Sequence, residues 1–282
     1  MSDAADASSA EFDEGRYLYC VVRADDADAE FDVEGIEDEP VRVLTEGDVG
    51  AVVHRCESLY DSDDPTTLKR WLLAHQRVTD AAADAFGTPL PVRFDTVLTG
   101  DDDTVREWLR ESADGLRDAL DALAGRREYR IEVRRNEDTL ADRLAETDDR
   151  LGELREKKEE AGEGTGFLVG KQYEQRLEDL LREHRENEAE AVAEELARYA
   201  ERVQRLGENR SASLVGAQPD DDDATSSVRF AVLAPVDNED DIGEILDDVA
   251  AEDGVEVRFS GPWPPYSFAP ELDVGATEEG SP

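Results

Sequence analysis

Lysine is nearly missing from this chain. Of 31 basic residues in 282 only four are lysine (Lys69, Lys157, Lys158 and Lys171), and the basic residues face 73 Asp and Glu, for a formal net charge of -42. Such a chain repels itself in dilute buffer and is tolerable where salt screens the repulsion to short range. The acid is spread over many loops, at Asp61–Asp64, Asp101–Asp103, Asp220–Asp223 and Glu239–Asp241, with no single acidic tail. That even spread reads as adaptation to a salty cytoplasm and not as a sink for one basic partner. A dense basic patch is lacking as well, which argues against nucleic acid as a partner. The nearest candidate, RREYRIEVRR at Arg126–Arg135, alternates like a strand.

Cysteine is scarce too. Cys20 and Cys56 stand in apolar, strand-like surroundings without CxxC or His spacing, so buried reduced thiols are expected. No apolar run reaches membrane-spanning length, and the opening MSDAADASSAEFDEG has no apolar core of the kind a signal peptide needs. The expectation is a cytoplasmic protein without a membrane partner.

What is present reads as two α+β domains. Residues 1–15 are expected to be disordered, and 16–125 form an N-terminal α+β domain. Its strands are RYLYCVVR (Arg16–Arg23), then PVRVLTE (Pro40–Glu46) and VGAVVHR (Val49–Arg55) as a hairpin around a Gly-Asp turn, and PLPVRFDTVL (Pro89–Leu98). Its helices cover Leu68–Phe86, with Pro65 in the first turn, and Thr104–Leu123.

Past Gly125 the pattern is a strand over Glu128–Arg135, then a charged helical stretch from Asp138 to about Glu160. The stretch breaks at AGEGTG and resumes from Phe167 to Leu206. Strands at Ala212–Gln218 and Val228–Val236, a helix at Asp240–Ala251 and a strand at Val255–Gly261 follow. With the helical hairpin (138–206) taken as one α unit, this is the βαββαβ order of a ferredoxin-like domain over 126–261. Residues 262–282 remain as a Pro/aromatic strap and acidic tail.

Catalytic signatures are missing. His54, His75 and His184 are far apart in sequence, with no HExxH or paired metal-ligand spacing, so no metal and no cofactor is expected. His75, on the apolar side of its helix beside Trp71, fits a core histidine better than a general base. Arg93, among apolar residues, suits pairing with a local carboxylate such as Asp95 better than anion binding. GEGTGFLVGK (Gly162–Lys171) lacks the GxxxxGK[ST] ending and joins two helices, so it reads as a turn.

The densest apolar cluster is GPWPPYSF (Gly261–Phe268), with three prolines and three aromatics. It suits neither a helix nor a central strand. Two readings stand side by side: a strap whose Trp263, Tyr266 and Phe268 fill grooves on the protein's own surface, or an aromatic anchor for a partner.

Three stretches carry a family resemblance: RYLYCVV, LAHQRVTD followed by PLPVRFDTVL, and VRFAVLAPVD leading to the GPWPPYSF close. Across residues 16 to 272 the chain resembles the gas vesicle protein L/F family. The resemblance implies a non-enzymatic accessory or minor structural protein of gas vesicle assembly, with an α+β N-terminal domain and a modified ferredoxin-like C-terminal domain. It implies as partners the small hydrophobic gas vesicle shell protein and other accessory gas vesicle proteins, contacted during nucleation, and no catalytic residue. Candidate partner-binding residues are Trp263, Tyr266 and Phe268. The alternatives are a small-molecule-binding regulatory module on a ferredoxin-like domain, and an enzyme that brings His75 and Arg93 together.

Overall fold

The structure, a computed structural model, describes residues 11–24, 31–207 and 225–272. Contacts divide these into two compact units, one built from the residues up to Glu128 and from Pro262 onward, the other from those between Tyr129 and Gly261.

The first unit is organised around β1 (Glu11–Arg23), which already includes residues 11–15, expected to be disordered. It pairs with β3 (Val49–Ser58) on one side and with β4 (Leu90–Pro91) and β5 (Val97–Thr99) on the other. The hairpin partner β2 (Arg42–Glu46) lies outside β3, and its register runs from Arg42 opposite Val53 to Glu46 opposite Val49. Gly47 supplies the positive φ of 65° that this turn needs. The helices α1 (Pro65–Phe86) and α2 (Asp102–Leu123) both pack on the strands.

A register shift between Leu18 and Cys20 explains the filling of the core. Leu18 faces Val53 and Cys20 faces Val52, so Tyr19 is an extra residue in the ladder. A bulge of this kind puts two successive side chains on one face. Tyr17, Tyr19, Cys20 and Val22 accordingly share one cluster with Trp71, Ala74, Val78 and Ala82 of α1. Leu18 and Val21 are equally buried but belong to the opposite face, where α2 supplies Val105, Leu109, Leu116 and Leu120. A strand buried on both faces reads as a continuous apolar run, which is why RYLYCVVR carries no alternation.

The expected single strand over Pro89–Leu98 is instead two short ones. Asp95 between them takes φ 64°, a conformation that Asp tolerates and that no ladder continues through.

In the second unit β6 (Arg126–Asn136) is followed by α3 (Glu137–Thr147), α4 (Asp149–Glu160) and α5 (Glu163–Leu196). Then come β7 (Arg202–Leu206), β8 (Thr225–Pro235), α6 (Glu239–Ala250) and β9 (Val255–Trp263). The sheet order is β7-β8-β6-β9, with β7 antiparallel to β8. Alternate residues of β6 (Tyr129, Ile131, Val133) and of β8 (Val228, Phe230, Val232, Ala234) meet Ala189, Val192 and Leu196 of α5 and Ile242 and Leu246 of α6.

Two expectations are corrected here. The helix does not run to Leu206: it closes at Leu196, and Arg202–Leu206 pair with β8 from Arg202 opposite Leu233 to Leu206 opposite Arg229. Val203 and Leu206 fit a helical stripe by spacing, but pairing along β8 outweighs local helix propensity. The strand expected at Ala212–Gln218 lies outside the described residues. The stretch from Asp138 to Glu160 is also broken. Asp148 ends α3 and caps α4, accepting from the Leu151 N–H at 2.8 Å while it pairs with Arg176 of α5 at 2.7 Å.

Abundant acid supplies the helix caps. Asp64, Asp101, Asn136 and Asp148 each accept from backbone N–H groups in the first turn of α1, α2, α3 and α4. Only α5, which begins after Gly162, lacks a side-chain cap among these five helices.

Candidate partner-binding site

The aromatic-proline segment is tacked down on the first unit. Beyond β9, Pro264 and Pro265 are buried, and a tight turn forms as the Phe268 and Ala269 N–H groups donate to the Pro265 carbonyl at 3.1 and 3.0 Å. Glu128, 1% exposed, clasps the turn: the Ser267 N–H and Oγ donate to its two carboxylate oxygens at 2.6 and 3.0 Å. A buried carboxylate requires such donors to offset its lost hydration. Its position at the apolar-alternating start of β6 was the only trace of this role in the sequence.

The three aromatics are not equivalent. Phe268 is buried and Trp263 half-buried. Tyr266 turns its hydroxyl inward beside Thr79 of α1, its ring centroid 6.3 Å from that of His75. Burial raises the Tyr266 phenol well above its ordinary pKa, so it stays neutral.

Beneath the strap is a cluster of phenols and imidazoles. Tyr17 Oη accepts the Asp95 N–H at 3.1 Å and lies 2.8 Å from His75 Nδ1. Tyr19 Oη accepts the Ile36 N–H at 2.9 Å and lies 2.6 Å from His54 Nδ1, while His54 Nε2 is 3.0 Å from Tyr60 Oη. His54 is bonded through both ring nitrogens, to Tyr19 and to Tyr60, whereas His75 is bonded through Nδ1 alone and its buried Nε2 has no hydrogen-bond partner among the described residues. Tyr17 and His54 also stack, centroids 5.0 Å apart and planes at 3°. Burial lowers both imidazole pKa values to about 4, so the rings are neutral at pH 7. Neutral, enclosed and hydrogen-bonded, they cement the core between β1, β3 and α1.

Arg93 is elsewhere in chemical terms. It is exposed and pairs with Glu271, not with Asp95, whose carboxylate instead accepts the Tyr60 N–H at 2.8 Å. An exposed arginine bound to the tail and a core histidine bound to Tyr17 do not make a catalytic pair. Among the described residues no group of three or more His, Cys, Asp or Glu is placed to hold a metal ion. No helix among them is long and apolar enough to cross a membrane. Cys20 and Cys56 are buried free thiols; burial raises both pKa values, that of Cys56 to about 11.

Against known proteins, the chain is 44% identical over 259 residues to gas vesicle protein L1 of Halobacterium salinarum, covering 92% of this chain and 91% of that one. It is 38% identical over 288 residues to gas vesicle protein L of Haloferax mediterranei, covering 92% and 88%. Both relatives come from haloarchaea, in keeping with the acidic, lysine-poor composition. The crystal structure of the gas vesicle protein GvpF from Anabaena sp. PCC7120 superposes with a TM-score of 0.72 at 20% identity, over 94% of this chain and all of that one. GvpF from Microcystis aeruginosa gives 0.65 at 18%, covering 91% and 99%. These two likenesses show a shared fold. The family model for the gas vesicle synthesis protein GvpL/GvpF matches residues 15–270, and the chain belongs to that family.

Proposed function

We propose that this chain is an accessory or minor structural protein of gas vesicle assembly. In this reading it binds the small hydrophobic shell protein and other accessory gas vesicle proteins during nucleation, in the cytoplasm, and so supports buoyancy. The observation that carries the reading is the family match across residues 15–270. The charge supports it: a protein that must hold an apolar client in solution needs an apolar contact set in a strongly solvated surface, and a net charge of -42 provides the solvation.

We read the second unit as a modified ferredoxin-like domain. Its support is the sheet order β7-β8-β6-β9 combined with one helical connection before β7 and another, α6, before β9. The first connection holds three helices, α3, α4 and α5, two more than the ferredoxin-like order requires.

In the strap, the inward-turned hydroxyl of Tyr266 and the buried Phe268 set the shape of the surface, and the half-buried Trp263 is the member we assign to the contact. Co-purification with the shell protein at molar salt tests this. Trp263→Ala is expected to weaken capture while the thermal midpoint stays near that of the wild type. Tyr266→Ala with Phe268→Ala is expected to lower the midpoint. Full capture by a folded Trp263→Ala protein removes the strap from the contact and leaves it an architectural clasp.

A further inference from the structure

The two most exposed large apolar side chains among the described residues are neighbours. Phe167 is 66% exposed and Leu168 63%, both in the second turn of α5, just past the link from α4. Isolated exposed apolar residues are ordinary; an adjacent pair at this exposure in a chain with 37% charged residues is not.

The pair sits where α5 is far from its own sheet. Ala189, Val192 and Leu196 bury the C-terminal part of α5 against β6 and β8. Phe167 lies about 33 Å along the helix axis from Ala189, at 1.5 Å per residue. Over that distance α5 is backed first by α4 and then by α3, whose Glu137 pairs with Arg185, and Gly166 and Gly170 face α4 at ordinary contact distance. A Cβ on Gly166 would stand 3.8 Å from the Lys158 carbonyl, and one on Gly170 3.6 Å from the Lys158 side chain. At this backing Leu168 lies on the side of α5 opposite the helix that covers Gly170 and Phe167 lies at its flank, and both stay exposed.

Local charge says what the pair can meet. Three of the four lysines of the chain, Lys157, Lys158 and Lys171, stand around it, and from Arg155 to Lys171 basic and acidic residues balance. Lys171 follows Phe167 by four residues and Leu168 by three, on the same helix face. Lys157 and Lys171 are paired with Glu153 and Glu174, while Lys158 lies along Gly170. The uncapped first turn of α5 adds the positive end of its dipole. In a molecule that repels acidic proteins almost everywhere, this tip is a neutral, lysine-edged apolar step that an acidic protein can approach.

We propose that the α4–α5 tip, centred on Phe167 and Leu168 and edged by Lys158 and Lys171, is a docking site for an amphipathic, carboxylate-bearing segment of another gas vesicle component. The site rests on the assembly reading above: the apolar pair supplies burial and the lysines select the acidic edge of the partner.

The test uses the tagged full chain, co-expressed separately with the shell protein and with each accessory gas vesicle protein, and purified at molar salt. One variant is Phe167→Ser with Leu168→Ser and the other is Lys158→Glu with Lys171→Glu; these exposed positions should leave the thermal midpoint in place. Loss of at least one partner by about tenfold in both variants, with the wild type retaining it, is the expected result. Retention of every wild-type partner by both variants overturns the tip and leaves the assembly reading standing. Capture of no gas vesicle component by the wild type overturns both. A wild-type dimer in sedimentation that Phe167→Ser with Leu168→Ser dissociates makes the occupant a second copy and overturns the partner assignment.

Discussion

The buried imidazoles make the response to acid predictable with sign and size. His54 and His75 are held neutral by burial, with pKa values of about 4 against 6.5 in the unfolded chain. Between those limits the unfolded state takes up a proton at each site and the native state does not. Stability is therefore complete above pH 6.5 and falls as the pH drops toward 4. Each site contributes about 3 kcal/mol over that window, at 1.36 kcal/mol per pKa unit. Asp80 acts in the opposite sense. Burial, followed by repulsion from Asp84, raises its carboxyl to about 6, so it gains stability as the pH falls through 6 toward 3.8, at most about 3 kcal/mol. Asp80 is only half-buried, so solvent screens its share and the net loss from these three groups lies between about 3 and 6 kcal/mol; Asp80→Asn should move it to the upper end.

The chain has only three histidines, so proton NMR in molar salt can follow each imidazole, assigned by His54→Gln and His75→Gln. Two ring signals should stay unprotonated down to pH 5. The third, His184, is partly buried, and burial holds it below its ordinary value as well. Titration of His54 or His75 near 6.5 in the folded protein would refute the enclosed Tyr–His core.

Three further outcomes are expected. Ser267→Ala removes one donor from the buried Glu128 carboxylate and should cost about 1–2 kcal/mol, with faster proteolytic cutting after residue 261 as the readout. Arg135, 3% exposed in its side chain, bridges Glu188 of α5 and Glu252, and Arg135→Met should destabilise by about 3–5 kcal/mol in denaturant unfolding because Glu188 is left with little compensation. Gly164→Ala should stabilise by about 0.5–1 kcal/mol, since a methyl there meets nothing within 4 Å and the residue is helical.

How much of this could be read from residues alone depends on what each pattern encodes. The Gly-Asp hairpin, both amphipathic helices of the first unit and the inward alternation of Tyr129, Ile131 and Val133 are local signals, and local signals survive folding. The bulge at Tyr19, the left-handed Asp95 and the pairing of Arg202–Leu206 with β8 are answers to distant partners, so no window around them contains the cause. The Asp148 cap was legible in principle, since Asp is a favoured N-cap and Asp149 adds acid to the first turn that follows, but the surrounding helical periodicity hid it. The strap was visible as composition, and its clasp was not: Glu128 and Ser267 are 139 residues apart, and nothing in either neighbourhood names the other.

The most direct test of the assembly account is co-purification of the tagged full chain with the small shell protein at molar salt, after co-expression and with the tag alone as control. The account predicts retention of the shell protein in soluble form, beyond what the tag alone retains. A folded, soluble chain that comes through free of shell protein and of every accessory gas vesicle protein would contradict it.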